Sequence, residues 1–290
     1  WKYIWMDAWS GGDGCMTYPD PENPDIIYTS YQNGGIFRKQ MSADKSKGIK
    51  PRLPRKTKGR LSYNFIAPYI ISNHKSSRLY HAGNFIFRSD NKGDNWDLIS
   101  GDLSVSENPE RKSLAAGAIA ESPLNENLLF LGTDHGALWI TSDQGENWIE
   151  RSDGLPIAYI RSIQPSNFAE KRLYVTLSGI NYDDLDRHIF MSNDLGENWI
   201  DIGADLPNEI MNCIVEDPKH ENVLYAGGYR GVYVSIDRGE SWDLLGDNLA
   251  ASCVADLVIQ ERDRDLIVGT HGRGIYKMDL ESMDHYLANS

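Results

Sequence analysis

The sequence predicts an all-β fold, a β-propeller of four-stranded antiparallel blades with six blade units visible, and three features carry that prediction. A turn of the form Ser/Thr-x-Asp/Asn-x-Gly-x-x-Trp occurs four times, at Ser89 to Trp96, Thr141 to Trp148, Ser192 to Trp199 and Ser235 to Trp242. The closing tryptophans stand 52, 51 and 43 residues apart, a period typical of propellers and solenoids that reuse one supersecondary unit. Between them lie short β-branched or aromatic segments punctuated by Gly, Pro and Asn, a pattern of sheet and not of helix.

Each unit has the same parts in the same order. A polar turn comes first, such as Asp20-Pro21-Glu22-Asn23-Pro24 or Asp217 to Asn222, where proline sets φ and short amides satisfy the backbone. An aliphatic strand follows: Ile26-Ile27-Tyr28, Leu79-Tyr80-His81, Leu128-Leu129-Phe130, Leu173-Tyr174-Val175, Val223-Leu224-Tyr225 and Leu266-Ile267-Val268. The next strand ends aliphatic-aromatic: Ile36-Phe37, Ile86-Phe87, Leu138-Trp139, Ile189-Phe190, Val232-Tyr233 and Ile275-Tyr276.

The repeated turn then closes a hairpin into a fourth strand expected to begin at the tryptophan. Asn91, Asp143, Asp194 and Asp237 accept backbone N–H groups within it, and Gly93, Gly145, Gly196 and Gly239 supply positive φ. Trp96, Trp148, Trp199 and Trp242 are expected to be largely buried beside the neighbouring sheet. Four identical turns argue for structure and against catalysis, because a catalytic site is one place. The blade units are expected at about 14–61, 62–112, 113–153, 154–206, 207–249 and 250–280 with 1–13, in a single propeller domain. The last unit lacks the turn, so Trp1 to Met6 is expected to close it as an outer strand. A start at Trp1-Lys2-Tyr3-Ile4-Trp5, without Met or a basic-then-apolar leader, reads as a piece of a longer chain.

The formal charge of -13, from 29 basic and 42 acidic residues, disfavours nucleic acid and anionic bilayers as partners. One stretch departs from this: Lys45, Lys47, Lys50, Arg52, Arg55, Lys56, Lys58 and Arg60 supply eight positive charges and no negative ones, a solvated face or the complement of an acidic partner. Cys15, Cys213 and Cys253 have neither disulfide nor zinc spacing, no apolar run reaches membrane length, and no metal or cofactor is implied.

The repeated turn resembles the Asp-box, or bacterial neuraminidase repeat. The whole chain is similar to the sortilin-like and glycosyl-hydrolase-like Asp-box propellers of bacteria, above all in GGDGCMTYPDPENPDIIYTSYQNGGIFR, ESPLNENLLFLGTDHGALWITSDQGENW and DLVIQERDRDLIVGTHGRGIYKMD. The resemblance implies an extracellular, periplasmic or cell-surface propeller, in a group that includes enzymes, receptors and assembly factors. The Arg-Ile-Pro element of sialidases is missing; Pro51-Arg52-Leu53-Pro54 is a faint echo of it. Xyloglucan-cleaving propellers carry a Thr-Asp-x-Gly-Gly-x-Tyr-Arg stretch whose Asp is catalytic, and the matching stretch here is Tyr31-Gln32-Asn33-Gly34-Gly35-Ile36-Phe37-Arg38. Gln32 replaces the acid, and a carboxamide cannot act as a general base.

Ligand-binding residues are expected on the turns between second and third strands, at the blade end away from the tryptophan turns. Three residues before each third-strand aromatic stand Gly34, Asn84, Gly136, Arg187, Arg230 and Arg273. The three arginines form an expected row of guanidinium forks for an anionic group, alongside Asp134, His135, Asp183, Tyr229 and His271. Asp184, Asp186 and His188 lie beside them, with Asp13 on an inter-blade loop. The function expected is a non-catalytic binding or scaffold module for a polysaccharide, peptide or protein partner. The alternatives are a glycoside hydrolase, using a pair such as Asp134 with Asp183, and a structural module of a larger assembly.

Overall fold

The computed structural model describes residues 12–106, 108–111, 113–246 and 248–289. The chain is all-β and divides into two compact units, 1–150 and 151–290, with three antiparallel sheets in each among the described residues. In the first unit the sheets are Gly14–Pro19, Ile26–Tyr31, Gly35–Gln40 and Lys45–Gly48; Tyr69–Ile71, Leu79–Ala82, Ile86–Ser89 and Asp97–Leu98; and Ala116–Glu121, Leu129–Thr133, Leu138–Thr141 and Ile149–Glu150. The second unit holds Tyr159–Pro165, Leu173–Ser178, His188–Ser192 and Ile200–Asp201; Met211–Glu216, Leu224–Gly228, Val232–Ser235 and Asp243–Leu244; and Val254–Gln260, Asp265–Thr270 and Gly274–Asp279. One α-helix, Glu281–Asn289, follows. Every sheet is a simple up-and-down meander in chain order, the blade of a β-propeller.

The sixth sheet has three strands among the described residues, and the closing strand expected at Trp1 to Met6 lies outside them. The fourth strands that follow the repeated turns are only two residues long and start one residue after the tryptophan, not at it. The indole leaves the strand there to reach another sheet.

Within each unit the core consists of layers between successive sheets. Second strands are the most protected because both of their faces are covered, as the residues after each polar turn show: Tyr28, Tyr80, Phe130, Tyr174 and Tyr225 hold one register position and are all 0 % exposed. Tyr80, Ile86, Ile119, Leu129 and Leu131 fill the layer between the second and third sheets. Tyr174, Ile189, Ile202, Met211, Ile214 and Trp242 fill that between the fourth and fifth.

The repeated turns are built by their own side chains. The Ser or Thr hydroxyl donates to the Asp or Asn oxygen two residues on, at 2.7 to 3.0 Å, and accepts the glycine N–H at 2.7 to 3.0 Å. The same Asp or Asn oxygen accepts the N–H of the residue before tryptophan at 2.8 to 2.9 Å. Gly145 has φ +96, and a Cβ there would meet the Ile99 carbonyl oxygen at 2.6 Å, so only glycine fits. Each indole N–H donates to a carbonyl of the preceding sheet's end: Trp96 to Ile49 at 2.7 Å, Trp148 to Ile99 at 2.9 Å, Trp199 to Arg151 at 3.1 Å and Trp242 to Ile202 at 2.7 Å. Trp242 is buried as expected, at 7 % exposure, whereas Trp96, Trp148 and Trp199 are half-buried.

Candidate functional site

The turns between second and third strands emerge at the blade end opposite the tryptophan turns, and their side chains fall into two groups. Asp134, Asp184 and Arg187 are tied to their own blades. The buried Asp134 carboxylate accepts the Leu114 N–H at 3.0 and 3.3 Å, and its Oδ1 lies 3.2 Å from His135 Nδ1. It thereby fixes the chain's entry into that blade's first strand and is no open acid. In the next turn, Ile180–Tyr182 forms a single 3-10 turn that ends at Asp183 in the left-handed region, φ +57, with its side chain exposed. Asp184 Oδ1 accepts the Asp186 N–H at 2.9 Å, and Asp184 Oδ2 lies 2.6 Å from His188 Nε2. Burial raises the Asp184 carboxyl, but these two partners outweigh it and hold the group below its ordinary value.

Arg187 does not present a free fork. Its Nε donates to the Gly203 carbonyl, and its second terminal nitrogen donates to the Ala204 carbonyl at 3.0 Å. The expected row of three arginines is therefore reduced to two in its open part, because the connection after Ile200–Asp201 folds back over the guanidinium. Asn208 completes the closure, donating to Asp186 Oδ1 at 2.7 Å.

The open group lies on the fifth and sixth blades. Tyr229 is 39 % exposed, and the Arg230 side chain is 73 % exposed, with its Nε 3.3 Å from Glu209 Oε2. Glu209 is buried and holds this turn from below: its Oε1 accepts the Tyr233 hydroxyl at 2.9 Å and the Arg230 N–H at 3.2 Å. On the sixth blade the exposed His271 is anchored by its backbone N–H to the Cys253 carbonyl at 2.8 Å. Arg273 is exposed and has no partner among the described residues. Gly272 and Gly274, at φ +83 and +85, bracket it and shape the tip.

Gln32, at the position of the acid in the xyloglucan-cleaving stretch, accepts the Asp13 N–H at 2.8 Å. Its carboxamide is a structural acceptor. Among the described residues no group of three His, Cys, Asp or Glu side chains is arranged to hold a metal ion, and no helix is long and apolar enough to cross a membrane.

Three carboxylates that sequence reasoning passed over organise the blades. Glu121 Oε1 accepts the Ser72 and Tyr80 hydroxyls at 3.0 and 3.1 Å, and its Oε2 accepts the Asn73 N–H at 2.6 Å. Glu216 does the same for Ser166, Tyr174 and Asn167 of the blade before it. Both stand directly ahead of a polar turn, in Glu121-Ser122-Pro123 and Glu216-Asp217-Pro218, and that recurrence was the available signal. Glu209, the third, has no counterpart in the other units to flag it.

These meanders define the class: an all-β propeller protein with cationic and aromatic loop tips on its last two blades. Neither a protein-family model nor a curated protein sequence matches the chain. Solved structures match its fold. A GH74 xyloglucanase from Xanthomonas campestris is similar with a TM-score of 0.66 and 15% identity, over 91% of this chain and 44% of that one. A GH74 enzyme from Niastella koreensis gives 0.65 and 14%, over 92% and 45%. YCF48 from Cyanidioschyzon merolae gives 0.55 and 14%, over 92% of this chain and 81% of that one. The chain thus spans about 45% of the length of the GH74 structures.

Proposed function

We propose that the chain is a non-catalytic propeller of the Asp-box type that binds a polysaccharide, peptide or protein outside the cytoplasm. The observation that carries this reading is the division of roles among the loop-tip side chains. Two of the carboxylates that would do acid–base work are tied up, and a third position lacks the acid: Asp134 holds Leu114 and His135, Asp184 holds Asp186 and His188, and Gln32 stands in place of an acid. Of the candidate ligand residues left open, Tyr229, Arg230, His271 and Arg273 are aromatic or cationic, and Asp183 is a lone carboxylate without Asp134 free to pair with it. Such a set recognises a carboxylate or sulfate on a ligand and has no carboxyl pair for glycosidic cleavage.

The second reading, a glycoside hydrolase, draws on the fold likeness to the GH74 enzymes. One experiment separates the two. The purified protein is presented with a panel of neutral, carboxylated and sulfated polysaccharides, and both retention and released reducing ends are measured. Retention without release, weakened by Arg230→Ala and by added salt, is expected. Release that disappears in Asp134→Asn or Asp183→Asn would establish the hydrolase instead.

A further inference from the structure

The connection between the first two blades, residues 49–68, has no regular strand or helix, yet it is firmly held. The Asn84 side chain accepts the Ser62 N–H at 2.7 Å and donates to the Arg60 carbonyl at 3.1 Å, while the Asn84 N–H donates to the Ser62 carbonyl at 3.0 Å. The Asn33 N–H donates to the Phe65 carbonyl at 3.0 Å. Lys50 donates to the Asn33 carbonyl at 2.6 Å and lies 4.6 Å over the Tyr63 ring. The second-to-third-strand turns of both blades thus strap this segment across the loop end.

What the strap displays is charge without compensation. Arg52, Arg55, Lys56, Lys58 and Arg60 are all exposed, and none has a carboxylate partner among the described residues. Most flanking cations of the same unit behave differently: Arg38, Lys39, Lys47, Lys75, Arg78, Arg88 and Lys92 each lie within an ion pair, while Lys45 has none among the described residues. In a chain with 42 acidic residues, five cations within nine positions stand without a neutralising carboxylate. Beside them Lys50, Pro51, Arg52, Leu53 and Leu61 line an open groove of about 500 Å³, and Phe65 and Ile66 are 56 % and 46 % exposed. Apolar floor and cationic rim lie together.

We infer that this strap is a docking site for an extended acidic polypeptide segment, its aliphatic side chains on Pro51, Leu53 and Leu61 and its carboxylates on Arg52, Arg55, Lys56 and Lys58. Charge complementarity sets the sign of the partner, and the apolar groove selects a peptide. A phosphodiester chain has no apolar side chains for that groove and meets the repulsion of the net charge of -13. The site lies on the first unit and is independent of whether the tips of the fifth and sixth blades bind anything.

The test uses a fluorescein-labelled peptide of alternating glutamate and leucine, a glutamine-leucine peptide of the same length, and an oligothymidylate. Fluorescence anisotropy is measured with the whole chain at low and at physiological ionic strength. The acidic peptide is expected to bind, with affinity falling as salt rises. Arg55→Gln/Lys56→Gln/Lys58→Gln should raise its Kd about tenfold. Lys171→Gln/Arg262→Gln/Lys277→Gln, which changes net charge equally at exposed sites elsewhere, should leave it unaltered. All six positions are exposed, so folding is expected to survive in both variants, with unchanged near-ultraviolet circular dichroism as the check. The proposal is overturned by equal binding of the glutamine peptide, by equal weakening in both triple variants, or by tighter binding of the oligothymidylate. Concentration-dependent self-association that only the strap variant loses would assign the strap to a second copy of the chain and also overturn it.

Discussion

Tyr174 donates a 3.0 Å hydrogen bond to Glu216, a carboxylate of the following blade that also accepts the Ser166 hydroxyl and the Asn167 N–H. A single side chain thereby satisfies three donors contributed by the preceding blade, two of them, on Tyr174 and Ser166, buried. Removing it strands all three at once. Glu216→Leu is expected to cost about 3 kcal/mol in urea unfolding, and Tyr174→Phe about 1 kcal/mol, since the second variant leaves the carboxylate with two partners. The double variant should fall short of the sum by about 1 kcal/mol, and strict additivity would show that the bond contributes nothing. Burial raises the Glu216 carboxyl despite these donors. The folded state therefore holds its proton to higher pH than the unfolded chain does, so this group's contribution is full below the ordinary carboxylate range and is lost as pH rises from there through the raised folded value.

His81 has the opposite sign. It is fully buried among Tyr63, at 5.1 Å between ring centroids, and Trp96, at 6.2 Å, with the Gly34 backbone as its one polar neighbour of note. Burial first, and nearby Lys50 second, push its pKa down to about 3. The unfolded chain then binds the proton between the ordinary histidine value and about 3, so stability is lost as pH falls through that window, at up to roughly 1.4 kcal/mol per pH unit. At the matching register other blades carry Leu131, Val175 and Ala226. His81→Leu should therefore flatten the acid limb of the stability curve and match or exceed the wild type at pH 5. An unchanged slope would show that His81 already has a partner in solution.

Asp284 anchors the terminal helix. Its carboxylate accepts from Arg264 at 2.7 and 3.2 Å, from Lys219 at 2.6 Å and from His220 at 2.8 Å. Arg264 chiefly holds the group well below the usual carboxylate range. A helix of nine residues is marginal by itself, so these bonds set its docking. Asp284→Asn is expected to expose 281–289 to limited proteolysis and to raise its amide exchange at least tenfold, leaving the other sheets protected. In the wild type the same release should occur on acidification below the ordinary aspartate range, because a depressed folded pKa confers stability that is lost as pH falls.

The four tryptophans separate by burial. Trp242→Ala should cost roughly 3 to 5 kcal/mol, while Trp96→Ala, Trp148→Ala and Trp199→Ala should each cost about half as much, since those rings already contact water. Trp242→Phe keeps most of the packing but strands the Ile202 carbonyl, for about 1 kcal/mol. Equal losses across the four alanine variants would contradict the burial order.

The sequence alone determined whatever rests on interactions within a few residues. Each repeated turn is closed by a hydroxyl, a carboxylate or amide, and a glycine within eight positions, so it is legible as a string, and with the six recurring aliphatic strands it marks out the units and their strand order. The register of the loop-tip residues followed from the two-residue period of the third strands. Their availability did not. Arg187 is closed by carbonyls 16 and 17 residues away, Trp242 is satisfied 40 residues away, and Glu216 reaches partners 42 to 50 residues back in the chain. Which Arg, Asp or Glu stays open depends on how one sheet lies against the next, and that packing is set by the summed fit of many apolar side chains with no short sequence pattern of its own. The tertiary structure therefore decided that Arg230 and Arg273 face solvent while Arg187 does not, and that the strap cations stand unpaired while most cations around them found partners.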